Sequence, residues 1–531
     1  MRSFGAAALL RWRSSSTRSR HWVTNIVIGI VIVLGLNWAG HGLRLPLIVD
    51  AQNGAFDRMI RASAAVAPAG HEGLPPPPRL VMIDVDDATW RDTRWGGGEP
   101  SRAPAALLSL LIESAFQRGA AQVVLDVAVE GSSGRAADLE ENRLFASRLE
   151  RMLAAPWFGA ERQLVLVRTL RQPLPLRRHV VSARADTPEP YAEGYFDELR
   201  DAAAIDPVVA ASSGRIVLAA PFFSVSTDRV LRDWQLLQVV CARGARGEAS
   251  RVEVVPSVQL AVAARHFGLP PGAVPWQSAP AGAPCRPFPA DPTDAEQATS
   301  PAQVLLEQAD QVIAASWKAT RAAFDAQGVR MGAQMPRADD LGNRVVFRWA
   351  NPPNVIPAID VLFGSARHDL QDRVVLIGQT FPETVDRHST PLGEMPGAVV
   401  LLNAIDSMTR HRIVGTPSMW VTAPLALAMI VVVGYAFARW NSVLGTVIAT
   451  CAILAVLPWL SFSLFKHGVW LDFALPLAGI QVHKLITSME EHFVRRQHRR
   501  AAERSAHLVA ADGLPTPEPA QTPAPTKGDV S

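Results

Sequence analysis

The 531-residue sequence holds only three cysteines, Cys241, Cys285 and Cys451, too few for a disulfide scaffold. Its formal net charge is only +3, so it lacks the broad basic footprint of a nucleic-acid-binding protein. No internal repeat is evident, and the residues after about Thr487 contain no Gly-rich phosphate loop or kinase catalytic loop. No nucleophile–base or metal-ligand spacing rises above chance. The residues therefore point to no enzyme and name no cofactor, and they leave the question of a metal open. The length suffices for two or three domains.

What the sequence does contain is apolar runs at its two ends. Residues 22–40 read WVTNIVIGIVIVLGLNWAG and carry no charge. A bilayer span needs roughly 20 mostly apolar residues, and Trp22 and Trp38 stand where amphipathic rings favour the interface. Arg2, Arg11, Arg13, Arg18 and Arg20 precede the run, which places the N-terminus in the cytoplasm. A cleaved signal peptide is the rival reading. Asn37 and Trp38 poorly match a small-x-small cleavage site, so an uncleaved anchor is expected. Three further runs, 419–437, 443–465 (interrupted by Pro458) and 469–486, are joined by connections short enough for tight hairpins. Four spans would return the C-terminus to the cytoplasm. The cluster Lys484, Arg495, Arg496, Arg499, Arg500 and Arg504 agrees with that, and Asp472 falls at the outer interface.

These features divide the chain into five parts. They are a cytoplasmic basic segment (1–21), a first span (22–40), an outer domain (41–417), three spans (418–488) and a short cytoplasmic tail (489–531), Pro-rich and disordered at its end. In the outer domain, RLVMIDVDD reads as a buried strand ending in acids. A helix over 103–118 and a second strand, AQVVLDVAVEG, complete a βαβ unit. Helices are expected at 136–154, 256–267, 304–327, 357–363 and 399–409. Strands are expected in LVLVRT and RIVLAAPFF and at 344–349 and 373–377, with a hairpin pairing 236–240 and 252–255. The segment GQTFPETVDRHSTPLGEMPG reads as a long loop. The fold class is α/β with a mostly parallel or mixed sheet, plus four transmembrane α-helices.

The stretches PRLVMIDVDDATW, SRAPAALLSLLIESAFQRGAAQVVLDVAVEG and DRVVLIGQTFPETVDRHSTPLGEMPGAVVLLNAIDSMTRHR resemble the CHASE type-two extracellular sensory domain of bacteria. PSVQLAVAA and VFRWANPPNVIPAIDVLFG resemble its middle. The likeness runs from about Ile48 to about Arg412, with DRHSTPLG, MPG and NAIDS its most specific elements. It implies a periplasmic sensor domain in a multi-pass protein of the bacterial inner membrane, upstream of a signalling output. After about Thr487 no catalytic domain follows, so output through a separate protein is expected.

Candidate ligand-binding residues sit at strand ends. Asp84, Asp86 and Asp87 close the first strand, and Asp126 and Glu130 close the second. If those strands are parallel neighbours, the acids converge at the carboxyl edge, where open α/β sheets bind ligands. They could hold a cation or a polar ligand, or simply cap helix starts. Asp386 and His388, with Thr390 nearby, face one way on an extended segment. They could join Asp84 or Asp86 in a metal site or titrating pair, or order the loop. Ser389 points away from His388, which argues against a hydrolase triad. Cys241 and Cys285 lie outside the expected spans, where a disulfide would stabilise by about 3–4 kcal/mol.

The expected function is a membrane-bound sensor of an envelope signal that hands its output to a separate signalling protein. The alternative is a structural or binding subunit of a secretion or polysaccharide assembly complex. The lipid bilayer is an expected partner, a homodimer is compatible with this layout, and nucleic acid is not expected.

Overall fold

The computed structural model describes most of residues 46–411. Within them 65–75, 98–102, 128–135, 169, 172–194, 198–201, 226–227, 243–250, 275, 277–298, 332–343, 365–367 and 383–385 lie outside the described set. Also described are 27–32, 35, 413–414, 442–465, 469–471 and isolated positions between 425 and 503. The chain divides into two compact units. One comprises 53–417 and 459–472; the other comprises 1–52, 418–458 and 473–531.

The larger unit is built on a six-stranded sheet in which every pairing is parallel. Its strands are β1 (Leu80–Val85), β2 (Gln122–Leu125), β3 (Gln163–Val167), β4 (Ile216–Ala219), β5 (Val355–Pro357) and β6 (Val374–Gln379). The spatial order is β5-β1-β6-β2-β3-β4. Strands covered on both faces read as continuous apolar runs, which is why LVMIDV and VVLIG carry no polar alternation.

One face carries Val81, Ile83, Val123, Leu125, Val375 and Ile377 into a single buried core. Helix α2 (Ala105–Gln117) meets that face with Leu108, Leu111, Ile112, Ala115 and Phe116, the i, i+3, i+4, i+7, i+8 stripe of an amphipathic helix. Helix α3 (Ala136–Ala154) and helix α4 (Ala202–Ala211) extend the same layer. The opposite face receives α5 (Val258–His266) and α6 (Gly397–His411), which pack on each other. Helix α6 is buried along residues 397–409.

The expected helices and the hairpin across 237–256 are present, with Cys241 opposite Val252. Cys285 lies outside the described residues. Three expectations are corrected. The first two strands of the βαβ unit are not neighbours, because β6 lies between them. The long loop after β6 contains a hairpin, β7 (Arg387–Thr390) and β8 (Gly393–Pro396), that alternation did not signal because its residues are polar and short. Residues 344–349 are extended but form no ladder; only Arg344 bridges Asp233. Their amides turn to α6 instead, with Val346 N donating to Ser407 Oγ (3.0 Å) and Arg348 and Trp349 N donating to Asn403 Oδ1 (2.8 and 2.9 Å).

A helix unforeseen in the sequence, α1 (Pro46–Ala64), precedes the sheet. From its second half, Phe56 and Ile60 are fully buried. Asp57 accepts two bonds from Arg232, at 2.8 and 2.7 Å, and Asp228 accepts two more from the same guanidinium. Phe56 also meets Phe465 and Trp470 edge-on, with ring centroids 5.9 and 5.2 Å away. Phe465 ends helix α7 (Ser442–Phe465), which continues through Pro458.

Among the described residues no helix is long and apolar enough to cross a membrane. Of the four expected spans, the first, second and fourth fall largely outside that set, at 22–26, 33–34, 36–40, most of 419–437 and most of 472–486; the third coincides with α7, several of whose side chains also lie outside it.

Candidate functional site

Register places three residues side by side at the carboxyl edge of the sheet. Asp84 is level with Gly378, and Asp126 N donates to Ile377 O (2.8 Å), one step beyond the Leu125–Ile377 pair. Aligned residues of parallel neighbours point to the same face. Asp84, Gly378 and Asp126 therefore share the face on which α6 packs. The two carboxylates are separated by two strand spacings, about 10 Å between Cα atoms.

Gly378 and Gly397 set the geometry between them. A Cβ at Gly378 would meet Ala398 Cβ at 2.5 Å, so only glycine lets the first turn of α6 seat on β6. A Cβ at Gly397 would overlap the Asp386 carboxylate, and Gly397 N donates to Asp386 O (2.9 Å). The start of α6 thus sits between Asp84 on one side and Asp126 on the other, with Asp386 against its first residue. A helix start carries about half a positive charge, which favours acids there.

The acids are nonetheless disturbed. Asp84 is 7% exposed, and burial is the largest reason its carboxyl is raised to about 6. The Thr380 hydroxyl donates to Asp84 Oδ2 (2.6 Å) and works against that shift, while Asp86 adds to it. Asp84 Oδ1 is buried and has no partner among the described residues. Part of the Asp126 residue remains accessible, but its carboxyl is enclosed and is raised to about 7, first by burial and then by Asp386. His388 opposes that rise. The His388 ring nitrogen Nε2 lies 2.7 Å from Asp386 Oδ1.

The remaining sequence candidates have structural duties. Asp86 caps the helix Asp87–Arg91 by accepting from Thr89 N (2.8 Å). An Asp86→Ala substitution should cost about 1 kcal/mol, read as a lowered thermal midpoint, and leave Asp126 chemistry unchanged. Thr390 Oγ1 donates to Gly393 O (2.6 Å) and accepts from Leu392 N (3.3 Å), fastening the β7–β8 turn. Glu130 lies outside the described residues. Asp84 and Asp126 do reach one edge, but they flank α6 rather than facing each other. Among the described residues no group of His, Cys, Asp and Glu is arranged to hold a metal ion.

Several residues that organise this edge were not singled out from sequence: Thr380, Gly397, Asn403 and Arg61. Arg61 Nε on α1 donates to Pro391 O in the β7–β8 turn (2.9 Å), so the hairpin bearing His388 is tied to α1. The available signal for Thr380, Gly397 and Asn403 was their place in the motifs, whereas Arg61 lies in none of them. Asn403, Asp406 and Ser407 are the polar positions of NAIDS, and each binds the 344–349 segment or Arg410.

The sequence model of the CHASE2 domain matches residues 27–438. A search of curated proteins and a search of solved structures returned no match. The match spans the parallel sheet, the acid-flanked start of α6 and the β7–β8 hairpin, and it covers most of the chain: the protein belongs to the CHASE2 domain family, a family of sensory domains.

Proposed function

We propose that this chain is a membrane-bound sensory protein. Its CHASE2 domain detects an envelope or extracellular signal at the carboxyl edge of the sheet. The signal passes through transmembrane helices to a separate protein. The family match over residues 27–438 is the observation that carries this reading. The reading assigns the chain no catalysis.

The membrane part of the proposal is supported by the sequence and by surface chemistry. Large apolar side chains are exposed at Val31, Val432, Val447, Val456 and Trp459, on segments that hold the expected spans. Exposed apolar surface of this density marks a lipid or protein contact. The sequence run 443–465 carries no Asp, Glu, Lys or Arg, as a bilayer span requires. The proposed site is a bacterial inner membrane with the sensor domain in the periplasm and both termini in the cytoplasm.

Purification of the full chain in mild detergent, with partners retained, followed by mass spectrometry tests this. A cytoplasmic kinase or nucleotide cyclase is the expected companion. Recovery of envelope assembly proteins alone would replace the sensor with a structural subunit. Deleting residues 489–531 should abolish signalling while leaving membrane insertion intact; normal signalling by that truncation would exclude the tail as the output.

A further inference from the structure

Helix α6 begins in an unusual electrostatic setting. Its first residue abuts the Asp386 carboxylate, and its second packs on Gly378 between two strands that end in Asp84 and Asp126. The helix then runs to His411 and is buried along residues 397–409. Along its length Asn403, Asp406 and Ser407 hold the 344–349 segment and Arg410.

We propose that the proton is a signal read at this edge: protonation of Asp84 and Asp126 seats the start of α6 on the sheet, and their ionisation loosens it. This inference rests on the sensory reading of the domain and names the signal for it.

The groups facing the two acids can be enumerated. Asp84 meets the Thr380 hydroxyl and the charge of Asp86. Nearby Asp87 is paired with Arg91 (2.9 Å). The neighbouring strand β5 and the first turn of α6, Gly397–Val400, contribute no charge. Asp126 meets Asp386 and His388 from the β7 segment. At the end of β3, Arg168 is engaged with Glu253 (3.0 Å). Arg387 and Glu394 lie on the hairpin. Among the described residues no Lys or Arg is paired with Asp84 or Asp126, and the one basic group named as acting on either is His388, on Asp126.

The sign follows from burial. Both carboxyls are raised above the ordinary value of 3.8, to about 6 and about 7. The folded arrangement binds protons that an open one would release, so its added stability is complete at low pH. That stability is lost as pH rises through 6 to 7, where two enclosed negative charges appear beside Asp86 and Asp386. Opening the edge to water relieves them. The positive end of α6 softens this cost without reversing it.

Hydrogen–deuterium exchange on the full chain in lipid nanodiscs, at pH 5.5 and pH 8.0, tests the proposal. Peptides covering 386–403 are compared with those of α5 as an internal reference for the intrinsic pH dependence of exchange. Relative protection of 397–403 should fall about tenfold or more between the two conditions. The neutral isosteres Asp84→Asn with Asp126→Asn should hold protection at the acid level even at pH 8.0. A second variant, His388→Ala, removes the group that opposes the rise at Asp126, so the transition should move to higher pH. Equal protection at both pH values, or an undiminished response in the Asn variant, would overturn the proposal. So would a transition that does not move in His388→Ala. Loss of the pH response with the cytoplasmic companion still co-purifying would remove the proton as signal while leaving the sensory reading intact.

Discussion

Arg232→Ala should destabilise the sensor domain by about 3–5 kcal/mol, because it strands a buried carboxylate. The Arg232 side chain is 2% exposed and makes four hydrogen bonds of 2.7–2.8 Å. Two go to Asp57 on α1, whose side chain is 12% exposed. The other two go to Asp228, which is 38% exposed and can turn to water when the arginine is lost. Asp57 has no such escape. Breaking a buried pair costs far more than replacing both members, so Asp57→Leu with Arg232→Met should recover much of the loss. Thermal unfolding of the full chain in detergent would show both effects. The consequence is local as well as global. Asp57 is adjacent to Phe56, and Phe56 carries the edge-on contacts to Phe465 and Trp470. Arg344 crosses the same ring at 4.6 Å and donates to Asn53 at 2.6 Å. Loss of Arg232 should therefore raise protease sensitivity near α1 before it affects the sheet.

Asn403→Leu should be the second large effect, costing about 2–4 kcal/mol. Asn403 is fully buried in α6, and its amide is saturated. The oxygen accepts from Arg348 N and Trp349 N, and the nitrogen donates to Trp349 O and Val399 O, both at 2.9 Å. Leucine matches the volume but leaves two backbone donors without a partner. Arg348 also lies 3.9 Å from Asp406, an acid raised by burial and held back by Arg410 and Arg348. The substitution should loosen 344–349 from α6, and new exchange in that segment, with the β1–β2 region still protected, would identify this cause.

The sheet was legible where local pattern decides structure. RLVMIDVDD and AQVVLDVAVEG show their strands because both faces are covered. The stripe of α2 shows its helix. Order across the sheet was not legible, because β6 enters between β1 and β2 from a segment about 250 residues further on. Residues 344–349 look like a strand because VVF is apolar and β-branched at its start, yet their amides are satisfied by side chains of α6. The hairpin carrying His388 was hidden because RHST and GEMP have neither alternation nor an Asn-Gly turn. At the site, the strand-end acids pointed to the right edge. What they surround became visible only with Gly378 and Gly397, whose missing side chains admit the start of α6. Asp86 shows the opposite outcome, since an acid at a strand end can be no more than a helix cap.

The central claim is that the sheet edge and the segments bordering the expected membrane helices respond as one system. The route open to it runs from the β7–β8 turn through Arg61 to α1, and from Phe56 to Phe465 and Trp470. The most direct test is hydrogen exchange of residues 459–472 in the full chain, in nanodiscs, comparing wild type with Asp84→Asn/Asp126→Asn at pH 8.0. A change in protection at 459–472, accompanying the change at 397–403, is the expected result. A change confined to 397–403, with 459–472 identical in both proteins, would contradict the account.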